Sequence, residues 1–326
     1  MLRSMRVAAP AAHAWLYAST GLMRAPFRVA VFGVSLVLAQ GMLSAIIAPM
    51  FALMSRAIAE PLPAYPWITL SAVFAAILVS VMFVDDAPWS SVGLERRSWR
   101  WQAIGGGVAL GAAAITATAL VLVATGVLHF QSASLSAEPA WSSGTWSAST
   151  LRMLFVLAPA ALWEELVFRG YLWTVAEQAG GARLALWSTS IAFGAMHITN
   201  PGAGVRTTAL VILAGVCLGT VRQQTRSVPA AWGAHLAWNA VMAVVLHAPV
   251  SGLAFGAPGH RAVVSGPDWW TGGAWGPEGG VAGALVLMCM LGLATRRSRV
   301  TRGMTQTGGR APAVAVVTST ARTMFR

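Results

Sequence analysis

Three short polar groupings interrupt a chain that is otherwise strongly apolar, and their residue types suit moving protons and holding a developing negative charge. The first, Trp163-Glu164-Glu165-Leu166-Val167-Phe168-Arg169, sets two adjacent carboxylates in an apolar run. Glu165 and Arg169 are four apart, so on a helix they share a face and can pair, which lowers the cost of keeping both ionised. Glu164 points about 100° away around the helix and is left as the carboxylate free to handle protons. The second grouping is Phe193-Gly194-Ala195-Met196-His197 and the third His235-Leu236-Ala237-Trp238-Asn239.

A carboxylate and an imidazole held together can bind and deprotonate a water. Gly180-Gly181 is the simplest place for a tight reversal between the first two groupings. Glu164 lies sixteen positions before Gly180 and His197 sixteen after Gly181, so on antiparallel helices they fall at the same depth. His235 and Asn239, four apart, share a face and can donate hydrogen bonds to an oxyanion, a contribution often worth about 100-fold in rate. The same pair could hold a metal or a polar ligand, and Glu164, His197 and His235 could together supply a zinc site. Phe193 reads as packing that walls the cavity.

The elements that position these residues are read as membrane spans. The chain is 56% hydrophobic and only 10% charged, against about 25% charged in an average soluble domain. A crossing needs about 20 apolar helical residues. Windows of that length predict helices near 29–54, 68–84, 103–128, 150–178, 182–199, 207–221, 228–248 and 279–295. The expected fold is therefore all-α, a polytopic membrane bundle of about eight transmembrane helices. A charged Asp, Lys or Arg at a helix centre costs about 2.5 to 3.5 kcal/mol on insertion scales, so the ionisable groups of the fourth, fifth and seventh helices mark function.

The net charge of +12 comes from arginine alone among the basic residues. With the N-terminus inside, Arg3, Arg6, Arg24, Arg28, Arg96, Arg97, Arg100, Arg183, Arg222, Arg226 and the seven after residue 295 lie on the cytoplasmic side, seventeen in all. Arg56, Arg152, Arg206 and Arg261 lie outside. This bias predicts that both termini are cytoplasmic and argues against a nucleic-acid patch. Residues 1–28 are expected as a cytoplasmic segment, interfacial at Trp15 and Leu16 or frayed. Residues 29–295 form the transmembrane domain, and 296–326 a basic disordered tail that touches anionic lipid.

Cys217 and Cys289 fall in apolar segments, and no disulfide is expected. The first apolar stretch is too long for a cleaved signal and reads as a retained anchor. Outside loops at His129–Ser149 and Gly252–Glu278, with Trp269, Trp270 and Trp275, are expected at the membrane interface. Gly105-Gly106-Gly107 and Gly111 read as close helix packing, with no nucleotide site.

Taken in order on separate hydrophobic helices, Glu164-Glu165-x-x-x-Arg169, Phe193-x-x-x-His197 and His235-x-x-x-Asn239 resemble the CPBP family of intramembrane proteases (CAAX-processing and bacteriocin-processing, or Abi). The resemblance covers about residues 85–295. It implies a glutamate-dependent endopeptidase without a cofactor, in which Glu164 and His197 activate water, His235 and Asn239 form the oxyanion hole, and Glu165 and Arg169 support them. It also implies a peptide or protein substrate in the membrane, lipidated or not.

Other classes share some of these features. A non-proteolytic scaffold or bacteriocin-immunity-type protein would keep the fold, a zinc hydrolase would be sensitive to chelation, and a proton-coupled transporter would use the same buried Glu and His residues. The Ala- and Arg-rich composition suggests a bacterial plasma (inner) membrane.

Overall fold

The computed structural model describes residues 16–18, 21–58, 61–132, 146–255 and 260–307. Trp15 of the expected interfacial segment, the loop over 133–145 and the tail beyond residue 307 lie outside the described residues. The chain forms two units, 1–287 and 288–326, and everything below except the last helix belongs to the first.

The architecture is a helical bundle: α1 (Ala25–Ile58), α2 (Tyr65–Val79), α3 (Trp101–Ala124), α4 (Trp146–Glu165), α5 (Leu172–Met196), α6 (Val205–Thr225) and α7 (Val228–Ala240). A short α8 (Asp268–Thr271) precedes α9 (Val281–Thr307). Within the second unit, 288–307 is helical, past residue 295 where the tail was expected to begin.

Among the described residues, five helices are long and apolar enough to cross a membrane by length and composition: Ala25–Ile58, Tyr65–Val84, Trp101–Ala124, Val205–Thr225 and Val228–Val245, with Val281–Ala294 shorter. Eight were expected. Two of the expected spans fall on 146–196, a run interrupted by Glu164, Glu165, Arg169, Glu177 and Arg183. The α1 helix is roughly 50 Å long at 1.5 Å per residue and buries only Arg28 and Phe32. Val34, Val37, Leu38, Met42, Ile46 and Leu53 are all exposed on it, as suits a surface solvated by lipid.

The reversal at Gly180-Gly181 is present. The α5 backbone leaves helical geometry there, with Gly181 at φ +80°, a conformation that favours glycine. The limbs 172–179 and 182–196 therefore run in different directions. The start of α7 is also as expected: the Ser227 side chain accepts the Ala230 N–H, and a proline sits in the first turn.

Close packing sets the height of α7. A Cβ on Gly107 of α3 would lie 2.1 Å from the Ala230 carbonyl oxygen, and one on Gly111 would lie 2.0 Å from that of Ala234. Gly105 and Gly106 face open space, so only half of the glycine cluster serves packing. Across the α5–α6 contact, Gly194 abuts Thr208 and Ile212, and Gly215 abuts Ser190.

Two expectations are corrected. The third helix stops at Ala124 rather than 128, because Gly126 takes a left-handed conformation at φ +71°, a common helix stop. The chain then forms β1 (Leu128–Ser132), which pairs antiparallel with β2 (His260–Val264), Leu128 opposite Val264 and Ser132 opposite His260. The bundle thus carries a small sheet that the all-α reading left out. Of the three loop tryptophans, Trp269 is exposed but Trp275 is buried in the core.

Arg28, expected on the cytoplasmic surface, is 3% exposed and bound. Its Nε lies 2.7 Å from Asp85 Oδ1, and its two terminal nitrogens donate to Asp85 Oδ2 at 2.8 Å and Gln178 Oε1 at 2.7 Å. One turn later Phe32 stacks on Tyr171, centroids 4.8 Å apart. These contacts tie the start of α1 to the end of α2 and to the helix that carries the glutamates.

Candidate active site

The carboxylate pair sits where α4 widens. Leu166–Tyr171 forms a π-helical turn directly after Glu165, and all six of its residues are buried. Such insertions are frequent at functional sites. Arg169, within it, donates from Nη1 to Glu165 Oε1 at 3.1 Å and from Nη2 to the Gly215 carbonyl at 2.9 Å. Both side chains of this ion pair are 0% exposed. The guanidinium also lies 4.4 Å from the centroid of the Phe193 ring, close enough for a cation–π contact.

The close approach of α7 to α3 brings His235 onto this pair. His235 Nδ1 lies 2.9 Å from Glu165 Oε1, and its Nε2 lies 3.9 Å from Glu164 Oε2. A carboxylate accepts, so Nδ1 carries a proton and donates to Glu165. Glu165 thus anchors both a guanidinium and an imidazole. Glu164 is 14% exposed, and its buried Oε2 has no hydrogen-bond partner among the described residues.

His197 caps α5 at the start of a 3-10 turn, His197–Thr199. Its Nδ1 lies 2.8 Å from the Phe193 carbonyl oxygen. That oxygen can only accept, which puts the proton on Nδ1 and leaves Nε2, in the neutral ring, as the acceptor.

Phe193 joins the pieces. Its ring centroid is 4.8 Å from that of His197 and 5.9 Å from that of His235, and it meets Phe168 edge-on at 5.4 Å. It lies against both histidines and Phe168.

The structure therefore brings Glu164, Glu165, Arg169, Phe193, His197 and His235 into one connected group. No hydrogen bond or ion pair joins Glu164 to His197 among the described residues. Asn239 lies one turn beyond His235 on α7, half-buried, with no side-chain hydrogen bond among the described residues. No three of His, Cys, Asp and Glu converge as a metal-binding group among the described residues.

Sequence reading missed two supports. Arg222 is buried and donates from Nε to the Arg169 carbonyl at 2.9 Å, fixing the backbone of the π-helical turn from α6. Trp238 donates from Nε1 to Glu278 Oε2 at 2.6 Å. Neither has a signal in sequence spacing, since each depends on how distant segments pack.

Residues 145–241 match the family model described as type II CAAX prenyl endopeptidase, Rce1-like. That segment holds all three polar groupings. Neither the curated proteins nor the solved structures provide a match.

Proposed function

We propose that this chain, whose residues 145–241 match the Rce1-like type II CAAX prenyl endopeptidase model, is an intramembrane endopeptidase of glutamate type. The carrying observation is the cluster itself: a buried and a half-buried carboxylate, an arginine and two histidines gathered from three apolar segments, where each ionisable group is costly unless it serves a site.

Glu164 and His197 divide the handling of water. Among the described residues, Oε2 of Glu164 and Nε2 of His197 have no hydrogen-bond partner, and neither bonds the other. Two groups that share a water, rather than each other, have this form. The carboxylate takes a proton as the water attacks the peptide carbonyl carbon, and the tetrahedral oxyanion forms. Glu164 then returns the proton to the leaving amine.

His235 and Asn239 are the oxyanion donors. For His235 Nε2 to donate while Nδ1 donates to Glu165, the ring must be doubly protonated. Glu165, itself held by Arg169, fixes the ring in that orientation through Nδ1 and supplies the countercharge. Asn239, with no other side-chain hydrogen bond among the described residues, is available to donate through its side-chain NH2. Donors placed in advance stabilise the transition state without reorganising.

The substrate is a membrane-associated peptide or protein, lipidated or not. No cofactor is required, and the protein resides as a multi-pass protein in a bacterial plasma (inner) membrane with both termini cytoplasmic.

The test is cleavage of a pooled library of peptides and lipopeptides by the purified protein in detergent, with and without a strong chelator, alongside His197→Ala. Cleavage that survives chelation and is lost in His197→Ala supports the reading. Loss under chelation moves the site to a metal.

A further inference from the structure

Glu278 lies in the 3-10 turn Pro277–Gly279 that precedes α9, far in sequence from the polar groupings and beyond the matched segment. Its carboxylate gathers three donors from two elements. Oε2 accepts the indole N–H of Trp238 at 2.6 Å. Oε1 accepts the backbone N–H of Ser251 at 2.6 Å and the Ser251 hydroxyl at 2.8 Å.

Each partner leads to a candidate catalytic residue. Trp238 immediately precedes Asn239 on α7. Ser251 sits in the loop after α7, and its carbonyl accepts from Asn200 Nδ2 at 3.0 Å. Asn200 ends the 3-10 turn that begins at His197, its own N–H bonded to the His197 carbonyl at 3.1 Å.

The same loop is wedged in place. Ser251 has φ +49°, an uncommon conformation for a residue with a side chain. A Cβ on Gly252 would lie 2.0 Å from the Pro201 carbonyl oxygen, and the Gly252 N–H donates to the Trp275 carbonyl at 3.0 Å. The loop thus transmits position between Glu278 and the His197 turn.

We propose that Glu278 is a positioning residue: it fixes the turn that carries His197 against the turn of α7 that carries Asn239, and so sets the spacing between the water-binding and oxyanion-binding sides of the site. The chemistry of its contacts asks for a carboxylate. The indole and the backbone amide are obligate donors, one on each oxygen, and a carboxylate only accepts. A glutamine of the same shape must turn its NH2 toward one of them, replacing a hydrogen bond with a donor–donor clash.

The proposal rests on the peptidase reading, and its test separates the two. Steady-state cleavage and 15N-histidine spectra of detergent-solubilised protein are measured for the wild type, Glu278→Gln and Trp238→Phe. The His197 and His129 signals are assigned by single substitution. Glu278→Gln is expected to lower kcat about 10- to 100-fold, the scale of a misplacement near 1 Å, with KM nearly unchanged. It should also move the His197 signals and leave those of His129 in place. Trp238→Phe, which removes one donor and alters the turn least, should act in the same direction and more weakly, and it decides alone if Glu278→Gln does not fold. Wild-type kcat or unmoved His197 signals in these variants overturn the proposal. If the wild type cleaves nothing, the peptidase reading fails and the spectra still decide whether Glu278 positions His197.

Discussion

Arg169 has the most to lose at the scale of single residues, because it compensates a carboxylate that no solvent reaches. Removing one partner of a buried pair is costly, about 3 to 5 kcal/mol, since the other charge stays buried and uncompensated. Arg169→Met should therefore lower the thermal midpoint of the detergent-solubilised protein sharply. Arg169→Met,Glu165→Gln in the same chain should recover part of the loss, which a melting series would show. With one group of the cluster acting as base and another as proton donor, activity should depend on pH as a bell. A rate profile flat from about pH 5 to pH 9 contradicts that division of roles. The Glu165–Arg169 pair was legible from a four-residue spacing, because helix geometry alone fixes it. The bond from His235 to Glu165 was not, because it depends on how closely α7 approaches α4.

That approach is set at the scale of elements. Gly111 lets α3 pack directly against the Ala234 carbonyl, one residue before His235. Gly111→Ala places a methyl where backbone stands, and overpacking of this kind costs about 1 to 3 kcal/mol. It should lower both the thermal midpoint and activity, because α7 must shift. Gly106→Ala, which meets nothing within 4 Å, should leave both unchanged. Equal tolerance of the two substitutions would show that the glycine contact does not set the site. The Gly180-Gly181 reversal was legible because it is local turn chemistry. The early stop at Gly126 was masked by the apolar Val127-Leu128 that follows it. The β1–β2 pairing, between strands more than a hundred residues apart in sequence, has no local signature.

On the scale of the whole molecule, polar contacts gather segments that lie far apart in sequence. Arg28 bonds to both Asp85 and Gln178, and Arg226 pairs with Glu177 at 3.2 Å. These residues come from stretches that the positive-inside reading places on the cytoplasmic side, while β1 and β2 come from stretches it places outside. With Cys217 and Cys289 replaced by alanine, an impermeant maleimide applied to intact cells should label Gln131→Cys and spare Arg97→Cys until the membrane is permeabilised. The reverse pattern inverts the topology. The membrane class was legible because composition suffices for it, whereas the exact span count turns on runs in which the charges that build the site also lower the apolarity by which a span is recognised.

The central claim is that Glu164 activates the attacking water, and the most direct measurement is kcat for Glu164→Gln on a peptide that the wild type cleaves, compared at matched folded fraction. The substitution keeps shape and removes the base. A fall in kcat of at least about 100-fold, the scale general base catalysis supplies, with an unchanged thermal midpoint is the predicted result. Retention of wild-type kcat by a folded Glu164→Gln protein would contradict the account, whatever the other residues of the cluster do.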